Sequence, residues 1–159
     1  MDQPTGSQRT PYVVIAGYGL PGRSLVELAH GQTDYLVIEL NPQTCERAAA
    51  GGVHFIAGSA SDPEVLRQAG VDRATLVALM VPNDEVVLAA ISHIRRVNSA
   101  AHIIARCSFT STGLEAVRRG ADHSIVAEQV IAHELQAIAL PWFPPLRDRG
   151  TDSTANHGR

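Results

Sequence analysis

Lysine is absent from the sequence, and all 13 basic side chains are arginine. A Walker-type phosphate loop requires a lysine that reaches the phosphates, and Schiff-base catalysis requires a lysine amine. Both mechanisms are therefore excluded, as is a lysine general base tuned by burial. A phosphate-bearing ligand would have to be held by backbone N–H groups, a helix N-terminus or arginine.

Cysteine, aromatic residues and long apolar runs are also scarce. Two scattered cysteines, Cys45 and Cys107, form no disulfide framework and are typical of a reducing compartment. An aromatic content of 4% and a net charge of −3 argue against a nucleic-acid partner. No apolar run approaches the ~20 residues of a membrane helix, and the polar N-terminal segment lacks the apolar core of a signal peptide. We therefore expect a cytoplasmic location.

Short apolar runs alternate with segments of helical character along the 159 residues. Continuous apolar runs are typical of strands buried on both faces of a parallel sheet. Asn41-Pro42 and Asp62-Pro63 indicate helix starts, whereas Gly51-Gly52, Gly70 and Gly120 indicate helix ends. The predicted strands are residues 12–16, 35–38, 53–57, 75–80, 102–106 and 124–126.

Six strand–helix repeats in one domain require parallel pairing with right-handed crossovers. We therefore predict an α/β, Rossmann-like, doubly wound parallel sheet of six strands in the order 3-2-1-4-5-6. The domain spans residues 12–140 in this prediction. Residues 1–11 are predicted to be a disordered leader, and residues 141–159 a Pro-rich segment and polar disordered tail, or the start of a linker in a longer parent protein.

The segment Gly17-Tyr18-Gly19-Leu20-Pro21-Gly22 matches G-x-G-x-x-G between the first predicted strand and a helix. In that context Gly17 permits the tight turn, Gly19 lets the backbone approach a phosphate, and Gly22 lets the helix pack closely on the strand. The alternative is a glycine-rich turn without a ligand.

An acidic residue follows at the expected distance. Glu39 ends the second predicted strand, 22 residues after Gly17, close to the spacing of the acid that accepts from ribose hydroxyls. Its carboxylate would repel a 2′-phosphate, which disfavours NADP. Leu40 follows Glu39 and is included in the predicted site. The alternative is an exposed carboxylate at a strand end.

Two further segments lie at the carboxyl ends of predicted strands, where open α/β sheets bind ligands. Ser59-Ala60 and Val81-Pro82 are candidates to frame an adenine, and their alternatives are a turn and a helix cap at Asn83. Arg23 either binds a phosphate or is simply exposed to solvent, and we prefer the second interpretation. Arg106 either points into the crevice or pairs with Asp84 or Glu128, and here we prefer a structural ion pair.

Signals for catalysis and for metal binding are weak. The histidines lack the spacing of metal ligands, and neither H-E-x-x-H nor G-x-S-x-G occurs. Nothing near Cys107 in the sequence marks an activating base. We therefore predict no catalytic and no metal-binding residue.

Two predicted helices carry apolar residues on more than one face. Residues 83–97 include Val86, Val87 and Leu88, and residues 128–140 include Ile131 and Leu135. Wide apolar faces on a small domain require cover, which predicts a homodimer. The alternative is that both are core helices covered by the tail.

Several segments together resemble the nucleotide-binding RCK (Trk-N) domain that regulates potassium channels and transporters. They are GYGLPG, LVIEL, HFIAGSASDPEVLRQAGVDRATLVAL, VPND, IIARC and GADHSIVAEQVIAHEL, within residues 12–140. The C-terminal domain of Kef-type proteins in the cation/proton antiporter family is the most similar subgroup in appearance. LRQAGVDRA and RRGADHSIVAE are the most specific segments, because dehydrogenases lack them.

The resemblance implies a non-catalytic sensor that binds AMP, ADP, ATP or NAD(H), dimerises or forms rings, and passes its ligand state to a membrane-embedded transporter or antiporter, in cis or in trans. It implies a location at the inner face of the cell membrane. It also implies that Gly17, Gly19 and Gly22 hold phosphate, that Glu39 holds ribose, and that Ser59-Ala60 with Val81-Pro82 hold adenine.

Two departures from the family pattern narrow the expected ligand. Relatives often carry arginine where this chain has Leu20, and Gly-Asp-Ala where it has Gly58-Ser59-Ala60. The missing arginine favours AMP or NAD(H) over ADP or ATP. The functional alternative is the cofactor-binding domain of an NAD-dependent oxidoreductase. Against this alternative, the cofactor-binding fold takes up nearly all of the predicted ordered length, and no substrate domain accompanies it.

Overall fold

The computed structural model describes residues 10–143 as six strands and six helices in strict alternation. The strands are β1 (Tyr12–Ala16), β2 (Asp34–Glu39), β3 (Phe55–Ala57), β4 (Leu76–Leu79), β5 (His102–Cys107) and β6 (His123–Val126). The helices are α1 (Leu20–Ala29), α2 (Pro42–Ala50), α3 (Pro63–Gln68), α4 (Asp84–Val97), α5 (Thr110–Arg118) and α6 (Ala127–Ala139), followed by a 3-10 turn at Leu140–Trp142.

All five strand pairings are parallel, and the spatial order is β3-β2-β1-β4-β5-β6. The predicted fold and strand order are therefore confirmed. The central strand β1 is buried along its whole length, as its continuous apolar sequence indicates. The chain leaves β1 in one direction toward β3 and resumes on the other side at β4, which creates a switch point between β1 and β4.

Each face of the sheet has its own apolar core. Helices α1 and α2 cover one face, through residues such as Val26 and Ala48. Helices α3, α4 and α5 cover the other face, through Leu66, Ile91 and Ala116 among others. Because side chains alternate along a strand, the face to which a strand residue belongs follows from its position.

The predicted helix caps are present. The side chains of Asn41 and Asp62 accept the backbone N–H two residues further on, and Asn83 accepts from both Glu85 and Val86. Strand β3 begins two residues later than predicted, at Phe55 instead of Val53. The reason is that the Val53 N–H donates to Ala48 O and so closes the end of α2.

The two helices with wide apolar faces behave differently. In α4, Val87, Ala90, Ile91 and Ile94 are buried against the sheet, which matches the alternative of a core helix. In α6, which lies wholly within the described residues, no residue is buried. Its apolar side chains Val130, Ile131, Leu135 and Ile138 are 57–64% exposed.

The predicted leader and tail fall largely outside the described residues. Residues 1–9 and 144–159 lie beyond them, so the predicted disorder of these segments stays a prediction. Within residues 10–143, no helix is both long enough and apolar enough to cross a membrane.

Candidate functional site

A crevice of about 680 Å³ lies at the carboxyl ends of the central strands, at the switch point. Eight of the predicted site residues line it: Gly17, Gly19, Glu39, Leu40, Ser59, Ala60, Val81 and Pro82. The remaining four, Tyr18, Leu20, Pro21 and Gly22, belong to the same turn or to the first turn of α1. Eight further lining residues flank these segments and were not predicted as site residues: Ile38, Asn41, Pro42, Thr44, Gly58, Met80, Asn83 and Val86.

The first glycine turns the chain from β1 toward α1. Gly17 has a φ of +98°, and its N–H donates to Ile38 O at 2.8 Å. A Cβ on Gly17 would lie 3.0 Å from the carbonyl carbon of Met80, so both conformation and space require glycine. Gly22 is buried, and its Cβ would lie only 1.8 Å from Gly17 O. The turn and the helix are therefore in direct backbone contact.

The middle glycine faces open space. Gly19 is the N-cap of α1, and a Cβ placed on it would meet nothing closer than Pro21 Cδ at 4.0 Å. As a glycine it offers no side chain to cap the helix, and the first turn of α1 contains no acidic residue. The N-terminal N–H groups and the positive end of the helix dipole are thus open to a bound anion. This geometry fits a nucleotide phosphate.

Glu39 joins the two loops that flank the crevice. Its Oε2 accepts the N–H of Tyr18 at 2.7 Å, and its Oε1 accepts the N–H of Asn41 at 2.8 Å. A carboxylate has about four lone-pair positions, so each oxygen retains one for a further donor. A half-buried carboxylate fixed in this way is suited to accept two ribose hydroxyls.

The opposite side of the crevice is mostly apolar. Ala60 is buried, and Val81 and Pro82 follow β4 after one intervening residue, Met80. Ser59 Oγ accepts the Ser61 N–H at 3.2 Å and contacts Ser61 Oγ at 2.8 Å, so this hydroxyl stabilises a turn. Both expected alternatives are thus present, a turn at Ser59 and a helix cap at Asn83. Ala60, Val81 and Pro82 thus contribute apolar side chains to the lining of the crevice.

Asp84 links the start of α4 to the loop after β5. Its Oδ1 accepts the Ser108 N–H at 2.9 Å and the Ser108 hydroxyl at 3.0 Å. Burial alone would raise the pKa of Asp84, but hydrogen bonds from Ser108 and Thr112 and attraction to Arg106 together hold the pKa below its ordinary value. No local signal predicted this contact, because its partners are 24 residues apart.

Arg106 is half-buried near the end of β5 and is not among the residues that line the crevice. Its Nη1 donates to Val81 O at 3.5 Å, a long contact. Within residues 10–143 its guanidinium forms no ion pair with a carboxylate, so the preferred interpretation of a structural pair with Asp84 or Glu128 is wrong. The physical reason is that the N–H and the hydroxyl of Ser108 donate hydrogen bonds to the Asp84 carboxylate instead.

The remaining reactive groups are dispersed. In the part of the chain that the structure describes, no three His, Cys, Asp or Glu side chains are placed to hold a metal ion. Cys45 and Cys107 are buried, and burial raises the pKa of both thiols, with Glu39 and Asp84 respectively adding to the effect. A raised pKa keeps a thiol protonated and a poor nucleophile.

Residues 13–127 match the TrkA-N domain family. The chain belongs to this family. The resemblance to the RCK (Trk-N) domain drawn from the sequence motifs is therefore confirmed, and the matched residues include the glycine turn, Glu39 and both apolar loops of the crevice.

Two curated proteins are similar to this TrkA-N domain. The putative cation/proton antiporter YbaL of Escherichia coli is 26% identical over 135 residues, which cover 84% of this chain and 24% of the antiporter. The Trk system potassium uptake protein TrkA homolog of Archaeoglobus fulgidus is 38% identical over 76 residues, 48% of this chain and 17% of that protein. The chain thus spans a quarter or less of the length of these relatives.

Solved structures share the fold. The TrkA-N domain of E. coli inner membrane protein YbaL superimposes with a TM-score of 0.75 at 23% identity, covering 83% of this chain and 98% of that domain. The Shewanella denitrificans Kef CTD in AMP-bound form has a TM-score of 0.67 at 18% identity, covering 82% and 80% of the two chains. The GsuK channel bound to NAD gives 0.70 at 17% identity, covering 82% and 24%.

Proposed function

We propose that this TrkA-N domain is a non-catalytic, adenosine-nucleotide-sensing regulatory domain that controls a potassium efflux or uptake system through a ligand-biased homodimer. AMP or NAD(H) is the favoured ligand. The observation that carries the proposal is the double anchoring of Glu39 by Tyr18 and Asn41 at the rim of the crevice. It presents a fixed ribose acceptor beside the open N-terminus of α1.

The nucleotide has a complementary place at each part of the crevice. The N-terminus of α1 with Gly17, Gly19 and Gly22 receives phosphate, and Glu39 receives the ribose hydroxyls. The adenine packs against Ser59-Ala60 and Val81-Pro82, which line the same crevice. Tyr18, Leu20, Pro21 and Leu40 complete the surrounding loops.

The charge at the site supports a ligand with few phosphates. Leu20, at the start of α1, is 72% exposed and supplies no charge where relatives often carry arginine. The Glu39 carboxylate also repels a 2′-phosphate, which disfavours NADP. We therefore rank AMP and NAD(H) above ADP and ATP. The AMP-bound Kef CTD and the NAD-bound GsuK channel support this class of ligand.

The proposed dimer uses α6. Its exposed apolar row continues into Leu140, Trp142 and Phe143, which are exposed as well. An apolar cavity of about 530 Å³ lies between this helix and the turn that follows it. A second copy of the chain would remove this surface from water.

The regulatory mechanism is a population shift. The nucleotide binds one arrangement of the dimer more tightly, raises the population of that arrangement and thereby biases the transporter. The partner is a membrane-embedded potassium transporter or antiporter, in cis within a longer parent protein or in trans. This places the domain in the cytoplasm at the inner face of the membrane. Nucleic acid is not a partner in this proposal.

Calorimetric titration tests the ligand. We expect AMP and NAD(H) to bind more tightly than ADP, ATP and NADP⁺, and the bound nucleotide to be recovered unchanged. Absence of heat with AMP, ADP, ATP and NAD(H) alike would contradict the proposal. The alternative, a cofactor domain of an NAD-dependent oxidoreductase, predicts oxidation of NADH in the presence of a hydride acceptor, which absorbance at the nicotinamide band detects.

A further inference from the structure

We propose that Thr44 donates a hydrogen bond to the 2′-oxygen of the bound nucleotide and makes the crevice selective for ribose over 2′-deoxyribose. This inference rests on the proposed function, because it adds a specificity-determining residue to the same site. An ionised carboxylate only accepts hydrogen bonds, so Glu39 alone supplies no donor to the lone pairs of a ribose hydroxyl.

Thr44 is a buried polar residue in the wall of the crevice. It lies in the first turn of α2, is only 7% exposed and lines the crevice. Asn98 is also polar and buried, but its side chain is fully paired within the chain, with two backbone carbonyls and two backbone N–H groups. Thr44 differs because it is buried against an open cavity.

The hydroxyl of Thr44 retains its proton for a further acceptor. A hydroxyl has one donor and two acceptor positions, and Arg47 Nη2 donates to Thr44 Oγ1 at 3.0 Å. Helical threonines often return the proton to the carbonyl three or four residues earlier. Here the Asn41 carbonyl already accepts the N–H groups of Thr44 and Cys45, and among residues 10–143 the Thr44 hydroxyl donates to no acceptor.

The hydroxyl lies on the α2 side of the Glu39 carboxylate. Glu39 Oε2 faces the glycine turn through Tyr18 N–H, whereas Oε1 accepts the N–H of Asn41, which caps α2. The Thr44 N–H donates to Asn41 O at 3.0 Å, so Thr44 belongs to that same turn. One acceptor, Glu39 Oε1, and one donor, the Thr44 hydroxyl, therefore flank the α2 end of the crevice.

The orientation of the nucleotide determines which hydroxyl meets this pair. The 3′-carbon of ribose adjoins the carbon that carries the phosphate arm, whereas the 2′-carbon adjoins the carbon that carries the base. With the phosphate at the N-terminus of α1, the 3′-hydroxyl lies toward the glycine turn and Glu39 Oε2. The 2′-hydroxyl then lies toward α2, where it donates to Glu39 Oε1 and accepts from Thr44.

The pair would make ribose selectivity strong. The Arg47 guanidinium polarises the Thr44 hydroxyl through their hydrogen bond and makes it a better donor. A 2′-deoxyribose offers neither a donor to Glu39 nor an acceptor to Thr44. It would displace water from both groups without replacing their hydrogen bonds, and sites of this kind reject the analogue that lacks the hydroxyl.

Titrations with AMP, 2′-deoxy-AMP and 3′-deoxy-AMP test the assignment. We expect the wild type to bind AMP about a hundredfold more tightly than 2′-deoxy-AMP. Thr44→Val should weaken AMP binding about tenfold and leave 2′-deoxy-AMP within about twofold, so the preference falls about tenfold. Thr44→Ser keeps the hydroxyl and should keep the preference. Thr33→Val is the matched control, because the Thr33 hydroxyl donates to Pro11 O and does not line the crevice.

Three results would overturn the assignment of Thr44. The preference for AMP over 2′-deoxy-AMP could be unchanged in Thr44→Val, both affinities could fall by the same factor, or the preference over 3′-deoxy-AMP could fall instead. Equal loss would indicate a structural role, and the third result would place the 3′-hydroxyl at Thr44. If Thr44→Val does not fold by circular dichroism, Thr44→Ala decides by the same comparison. A wild type that binds none of the three nucleotides would refute the proposed function itself, which is a separate outcome.

Discussion

Glu39 Oε2 accepts the backbone N–H of Tyr18 at 2.7 Å, across a sequence separation of 21 residues. The carboxylate at the end of β2 therefore fixes the glycine turn that follows β1. Through Oε1 it also fixes Asn41, the residue that caps α2. A residue expected from its spacing to bind ribose thus also determines the shape of the crevice in the absence of ligand.

Substitution of Glu39 should affect both roles. In Glu39→Gln one of the two acceptor oxygens is replaced by an NH₂ group. The side chain can then accept the N–H of Tyr18 or that of Asn41, but no longer one on each side. We expect AMP affinity to fall about tenfold or more and unfolding free energy to fall by about 1 kcal/mol. Calorimetry and urea denaturation measure the two effects. Glu46→Gln, at an exposed position on α2, is the control and should change neither.

Substitution by alanine should affect ligand binding at one glycine of the motif and stability at another. At Gly19 a Cβ enters open space, so Gly19→Ala should fold normally but obstruct a phosphate and abolish AMP binding. At Gly22 a Cβ would collide with Gly17 O, so Gly22→Ala should lower stability by about 3 kcal/mol or more. Thermal unfolding and calorimetry on both variants distinguish these effects. Normal AMP binding by Gly19→Ala would place the phosphate elsewhere.

Much of this fold is predictable because its signals are local. Apolar runs mark the buried strands, Asn41 and Asp62 mark helix starts, and the handedness of crossovers then determines the strand order. The glycine turn and Glu39 were predicted from spacing alone, and both lie at the crevice. Local chemistry and a general rule of chain handedness suffice for these features.

Long-range side-chain partners were not predictable in the same way. The contact of Asp84 with Ser108 joins residues 24 apart, and nothing near either residue indicates it. The pairing expected for Arg106 was wrong because the competing partner of Asp84 was unknown. Likewise, the sequence did not separate α4 from α6, since both have wide apolar faces and the sheet covers only α4.

Low pH should destabilise the chain through Asp84 and Asp122. The pKa of Asp122 is lowered chiefly by the hydrogen bond from the Ile103 N–H; burial opposes this, and attraction and a hydrogen bond from Arg95 lower the pKa further. A carboxylate whose folded-state pKa lies below its unfolded value stabilises the protein above the unfolded value, near pH 4, and loses this effect as pH falls through the folded value. Stability should therefore decline below about pH 4. Urea denaturation from pH 3 to 7 measures it, and in the double variant Asp84→Asn, Asp122→Asn the decline should be shallower.

The α6 surface should control self-association without affecting the fold of the single chain. Leu135 is 61% exposed, so Leu135→Glu places a charge in the proposed interface while removing no buried contact within the chain. We expect the wild type to be a dimer and Leu135→Glu a monomer by light scattering after size-exclusion chromatography, with unchanged circular dichroism. Leu28→Glu is the matched control, because Leu28 is a similarly exposed leucine on α1. A dimer that persists in Leu135→Glu would show that another surface joins the two copies, and a monomeric wild type would refute the dimer.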